Sequence, residues 1–153
     1  MDNKILYFAY GSNMNSKDLS EWRKKKNLKI TLKNPMVARL AGYEIRFTQF
    51  SELRKGGVAD VVKSNSEAWG VLFETDEESI KNLDKKEIGY RKIKVAVIDA
   101  NDDIVEDVIT YEVIKKGDYK PGKQYLKIIL DGAKEHNLPK WHIEKMSKVQ
   151  TIN

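Results

Sequence analysis

Apolar residues in this chain fall into short alternating or continuous runs over the first two thirds and into helically spaced positions near the C-terminus. The run ILYFAY predicts a strand over residues 4–9 that breaks at Gly11-Ser12-Asn13. A helix follows over 17–26, with Ser16 as its cap and Leu19 and Trp22, three apart, on its inner face. After Pro35, MVARL and YEIRFTQF read as two strands divided by a turn at Ala41-Gly42. VADVV follows Gly56-Gly57, and AWGVLFET makes a fourth strand of this series, its Gly70 marking a bulge or a close approach by another backbone. The T-D-E-E sequence from Thr75 starts a helix over 76–86, with Glu78 at the capping-box position and Ile80 and Leu83 facing inward. Strands over 90–98 and 106–114 flank the acidic turn Asn101-Asp102-Asp103. Beyond Pro121-Gly122, QYLKIILDGAKEHN has helical spacing, and Pro139 restarts a short helix to about residue 148. Strands interrupted by helices without regular βαβ alternation predict an α+β fold whose largely antiparallel or mixed sheet is open or closed into a small barrel.

Length and composition narrow the function classes. The 153 residues suit one domain, residues 1–153, with one continuous core. No window approaches the roughly 18 consecutive apolar residues of a membrane helix, and MDNKILYFAY has no secretory-signal pattern, so the expectation is a soluble, cytoplasmic protein without a membrane partner. The absence of cysteine removes thiolate nucleophiles, thiolate metal sites and disulfides. The net charge of +5 is spread along the chain, and its densest run, Arg23 to Lys26, ends a predicted helix, where cations complement the dipole. With no nucleic-acid module present, no nucleic-acid partner is expected. Oligomeric state, monomer or homodimer, is open.

Candidate chemistry is sparse. A strand entering a glycine turn and then a helix can form an anion or oxyanion site, because glycine lets the backbone approach a ligand and free amides point outward. Yet Gly, Ser and Asn are also the commonest turn formers, and composition alone favours a plain turn at 11–13. The chain lacks both phosphate-loop spacings. His136 and His142, six apart on either side of Pro139, read as surface histidines, and no metal is expected. Ser12 lacks a nucleophile-elbow context. Glu87 lies where a helix passes into Gly89-Tyr90; a carboxylate is mildly disfavoured there by the dipole, which permits a functional role without requiring one.

YFAYGSN, GGVADVV, AWGVLFE, LDKKE with Tyr90 and IKVAV, and QYLKIILDGAKEHNLP follow one another in an order and spacing that resemble the γ-glutamylcyclotransferase family over nearly the whole chain. FAYGSNM resembles the γ-glutamylcyclotransferase branch more than the glutathione-specific one. The resemblance implies a small mixed β-barrel with flanking helices. It also implies a cofactor-free enzyme acting on a small-molecule γ-glutamyl substrate: the glutamyl α-amine attacks its own γ-carbonyl, closes 5-oxoproline and releases an amino acid or amine. The attacking amine, of reference pKa about 8, must be neutral, so a positioned base accelerates the step. By motif position that base is Glu87, which also returns the proton to the departing amine. Tyr7, Phe8, Ala9, Tyr10, Gly11, Ser12 and Asn13 are then the pocket wall and amide donors for a carboxylate or oxyanion. Tyr125, and by a weaker transfer Tyr90, are then substrate contacts. The chain departs from the pattern in one place, Glu87-Ile88-Gly89 where many members have Glu-Gly, and a branched side chain restricts the backbone just after the base. The leaving group is expected to be read by loops around residues 50–55 or 118–123. Two alternatives stand beside this reading: a relative acting on γ-glutamylamines or a biosynthetic intermediate, and a non-catalytic module that binds a small acidic metabolite.

Overall fold

The computed structural model of the chain describes residues 4–153. Five strands form a closed barrel in the order β1 (Ile5–Ala9), β3 (Gly56–Thr75), β2 (Lys33–Ser51), β4 (Tyr90–Asp99), β5 (Ile104–Val113). All neighbours run antiparallel except β1 and β5, which close the barrel in parallel at Tyr7 and Ile109. Four helices flank it: α1 (Ser16–Lys26), α2 (Glu77–Lys86), α3 (Lys123–Glu135) and α4 (Lys140–Ser147). Phe8, Leu40, Val61, Val71, Val97 and Val108, all buried, come from every strand and fill the interior, while Leu83 and Ile129 bring in α2 and α3. Among the described residues no helix is long and apolar enough to cross a membrane.

The four strands expected between Pro35 and Thr75 are two. Gly42, at φ +84°, and a register shift between Ala41 and Tyr43 absorb the irregularity without ending the ladder, so β2 and β3 form one long bent hairpin. A left-handed glycine inside a paired strand makes a bulge, and the partner strand keeps the pairing on either side. Gly70 is the close approach its position predicts: a Cβ there would collide with the Ala9 carbonyl oxygen and come within 2.8 Å of the Phe8 ring. Glycine at 70 therefore lets β1 lie tightly against β3.

Two caps differ from expectation. Asn15, not Ser16, caps α1, its extended backbone aiming Oδ1 at the Asp18 amide (3.0 Å). Asp76 caps α2 through the Ser79 amide (2.8 Å), whereas the Thr75 hydroxyl donates to the Thr31 carbonyl (2.6 Å). A short carboxylate three residues before a free amide meets the N-cap geometry directly and displaces the capping box. Ile80 and Leu83 are buried as α2 amphipathicity predicts.

Candidate active site

Strand β1 delivers the first part of a cleft at one end of the barrel. Tyr7, Tyr10, Gly11, Ser12 and Asn13 line it together with Ala59, Glu87, Tyr90, Thr110, Tyr111 and Tyr125. The enclosed volume is about 30 Å³, room for the small end of a ligand with the rest at the mouth. Phe8 and Ala9 do not line the cleft; both are buried, and the Phe8 ring packs over Gly70 in the core.

Past Gly11 the chain makes a single 3-10 turn over Ser12–Met14. The Met14 amide donates to the Gly11 carbonyl (3.1 Å) and the Asn15 amide to the Ser12 carbonyl (3.0 Å). Among the described residues the amides of Gly11, Ser12 and Asn13 find no protein acceptor. Helix α3 braces this turn: the Asn15 side chain donates to the Ile128 carbonyl (3.0 Å), and His136 Nε2–H to the Met14 carbonyl (2.9 Å). Gly132 lets the two touch, since a Cβ there would stand 2.8 Å from the Asn15 nitrogen. At Gly11 a Cβ would stand 3.3 Å from that of Ala59 and 3.6 Å from the Tyr125 hydroxyl, so the absent side chain leaves the floor of the cleft open.

Glu87 reaches the same place from α2. It is the first residue past the helix, its amide donating to the Leu83 carbonyl (3.0 Å), and Gly89 at φ +86° turns the chain into β4. The half-buried carboxylate accepts from Asn13 Nδ2 (2.7 Å), which also donates to the Tyr7 hydroxyl (2.9 Å). Ile88 is exposed, so the branched residue after Glu87 stands outside the cleft, and the Gln49 side chain donates to its carbonyl (3.0 Å).

Five phenols surround the carboxylate. Burial pushes the pKa of Tyr7, Tyr10, Tyr90, Tyr111 and Tyr125 above the usual phenol value, and the negative charge of Glu87 adds to it in each case. All five therefore remain O–H donors at neutral pH. Three have committed that proton: Tyr10 to the Tyr111 carbonyl (2.6 Å), Tyr90 to the Ala59 carbonyl (2.6 Å) and Tyr111 to Asp84 Oδ1 (2.6 Å). Tyr7 and Tyr125 instead accept, from Asn13 and from the Ala59 amide (2.9 Å), which leaves their protons free for a ligand.

The structure thus brings Glu87 together with Tyr7, Tyr10, Gly11, Ser12, Asn13, Tyr90 and Tyr125. Sequence reasoning did not name Ala59, Tyr111, Thr110 or Lys86, and it pointed to Arg54 only as part of the 50–55 loop. Arg54, at the tip of the β2–β3 hairpin, forms a bidentate pair with Asp18 (3.0 and 2.8 Å) and lies over the Tyr125 ring, 5.4 Å from its centre. The 50–55 and 118–123 loops meet here, with the Phe50 and Tyr119 rings edge to face and the Gly57 amide donating to the Lys120 carbonyl (2.8 Å). The histidines are not surface groups. His142 is buried, and desolvation with Lys145 nearby lowers its pKa to about 4; His136 packs edge-on against Phe73. α3 packs on the 12–14 turn and α4 packs on α3, and this docking covers the His142 ring and most of the His136 ring.

Residues 67–146, just over half of the chain, match the model of the AIG2-like family. Gamma-glutamylcyclotransferase of Mus musculus is 34% identical, covering 95% of this chain and 79% of its own length. The Homo sapiens protein of the same name is 32% identical over 97% and 80% respectively. A solved structure described as gamma-glutamyl cyclotransferase superposes with a TM-score of 0.86 at 28% identity, over 98% of this chain and 90% of that one.

Proposed function

Because this chain belongs to the AIG2-like γ-glutamylcyclotransferase family, an enzyme family, we propose that it converts a γ-glutamyl compound to 5-oxoproline with release of the attached amino acid or amine, and that Glu87 is the base. The observation that carries the assignment is the meeting of Glu87 with Asn13, 2.7 Å apart, beside three backbone amides that lack an acceptor among the described residues.

Glu87 removes a proton from the α-ammonium group, and the freed nitrogen lone pair attacks the γ-carbonyl. The new C–N bond closes the five-membered ring, and the carbonyl oxygen becomes an oxyanion that the 11–13 amides face. As the tetrahedral intermediate collapses, Glu87 gives its proton to the departing nitrogen and the original amide C–N bond breaks; the freed carboxylate then takes the second proton from the ring nitrogen and passes it to the released amine, which leaves as an ammonium ion. Atoms and charge balance with no water consumed and no cofactor involved. Tyr7 and Tyr125, with free protons, bind the substrate carboxylate or the carbonyl oxygen, while Tyr90 and Tyr10 fix the wall behind them. Arg54 and the joined 50–55 and 118–123 loops stand where the leaving group emerges.

The test is 5-oxoproline release from γ-glutamyl dipeptides, γ-glutamylamines and glutathione, by wild type and by Glu87→Gln. Turnover of at least one member, with a loss of about 10³-fold in the folded variant, is expected. No release from any member overturns the activity, and undiminished release by Glu87→Gln overturns the base.

A further inference from the structure

Lys86 directly precedes Glu87, yet its side chain lies outside the cleft lining. Its ammonium donates to Asn13 Oδ1 (2.8 Å) and approaches the Ser12 hydroxyl (3.4 Å). Asn13 spends both hydrogens of its amide on the other side, one on Glu87 and one on Tyr7. The primary amide is nearly symmetric in shape, so nothing steric distinguishes this orientation from the one rotated by half a turn. Electrostatics does. In the rotated form the amide oxygen would face the Glu87 carboxylate and the NH2 group would face an ammonium, two repulsive contacts in place of three hydrogen bonds.

We infer that Lys86 is a positioning residue: by donating to Asn13 Oδ1 it locks the amide so that its NH2 group holds the Glu87 carboxylate and the Tyr7 hydroxyl in their working places. The inference rests on the role of Glu87 proposed above and adds to it the device that aims the base. Burial lowers the Lys86 pKa while Glu87 opposes that shift, which fits an ammonium retained for its interactions and not for solvent. Fixing the direction also settles which atom of Tyr7 meets the loop: its oxygen accepts from Asn13, and its proton is released towards the cleft.

The test is Lys86→Met, which keeps length and bulk but cannot donate, with Lys86→Gln, which restores an N–H donor without charge. The side-chain amide protons of Asn13 are followed by NMR in the 15N-labelled protein, alongside kcat and KM for the best substrate. Wild type is expected to give one pair of slowly exchanging Asn13 NH2 signals. Lys86→Met is expected to lose them, with kcat falling on the order of 10- to 100-fold and KM changing little; Lys86→Gln is expected to recover part of both. Unchanged Asn13 signals in Lys86→Met overturn the inference, as does a rise in KM at constant kcat, which would make Lys86 a substrate contact. If Lys86→Met does not fold, Lys86→Gln read against wild type decides by the same signals. A wild type that turns over nothing while its Asn13 signals respond as expected would sink the proposed activity and leave the orientation device standing.

Discussion

Of two concavities among the described residues, the larger is the poorer candidate. A groove of about 680 Å³ runs under α4, lined by Gly42, Glu44, Glu67, Trp141, His142 and Lys145 among others. Its carboxylates are engaged elsewhere, Glu44 with Arg46 and Glu67 with Arg39, and Trp141 is half exposed with its edge on Trp69. The phenol-lined cleft encloses about 30 Å³ yet collects Glu87, two phenols whose oxygens accept, and three amides with no acceptor among the described residues, within a wall of buried groups. Volume measures how loosely two elements meet. Convergent polar groups left without partners measure what the fold has kept open for a ligand, and they do so at a cost in stability that an idle surface would not carry.

Perturbing each concavity in turn should separate them. Gly11→Val would press methyl groups against Ala59 and the Tyr125 hydroxyl, and kcat/KM for 5-oxoproline release should fall by about 10³-fold while the circular dichroism spectrum is kept. Tyr125→Phe removes a free phenol proton and should cost about 10²-fold in kcat/KM. Tyr90→Phe should cost less activity but about 1–3 kcal/mol of stability in urea melts, because the buried Ala59 carbonyl loses its donor.

At the groove the expected effect is on stability. The folded His142 pKa, about 4, lies below its ordinary 6.5, so the native state favours the neutral ring. Below pH 6.5 the unfolded chain binds the extra proton first, and stability falls with pH until about pH 4, by up to roughly 3 kcal/mol. Replacing the ring with Phe should flatten that part of the stability curve, read from melts between pH 7 and pH 4, and an unchanged slope would contradict the assignment. Trp141→Ala should be smallest of all, changing kcat/KM by less than about twofold, since exposed positions away from a site seldom affect it.

What was legible in the sequence follows from how local each cause is. The strand and glycine loop of 7–13, the amphipathic α2 and the tight approach at Gly70 depend on neighbours in the chain or on the size of one residue, and they were readable. The joining of four expected strands into β2 and β3 was not, because Gly42 favours a turn or a bulge equally and the partner strand decides. Asn15 and Asp76 took the caps from Ser16 and the expected capping box because the choice rests on backbone angles one residue away. Glu87 was singled out by motif position, whereas nothing local marked Lys86 next to it; its contacts with Ser12 and Asn13 exist only because the 12–14 turn, far away in the chain, packs against the end of α2. Arg54 and Tyr111 act through contacts many residues away, with Asp18 and Asp84, and leave no local pattern. The histidines read as exposed because their six-residue spacing across Pro139 offers no ligand pair, and nothing local shows that the docking of α3 and α4 buries His142 and most of His136.

The most direct test of the central claim is to titrate folded, 15N-labelled Glu87→Gln with a γ-glutamyl dipeptide and map the backbone amide shifts. The account predicts the largest changes at Gly11, Ser12 and Asn13, whose amides await an acceptor, with residues 141–146 silent. Shifts concentrated at 141–146, with the 11–13 amides unmoved, would place the ligand in the large groove and contradict it.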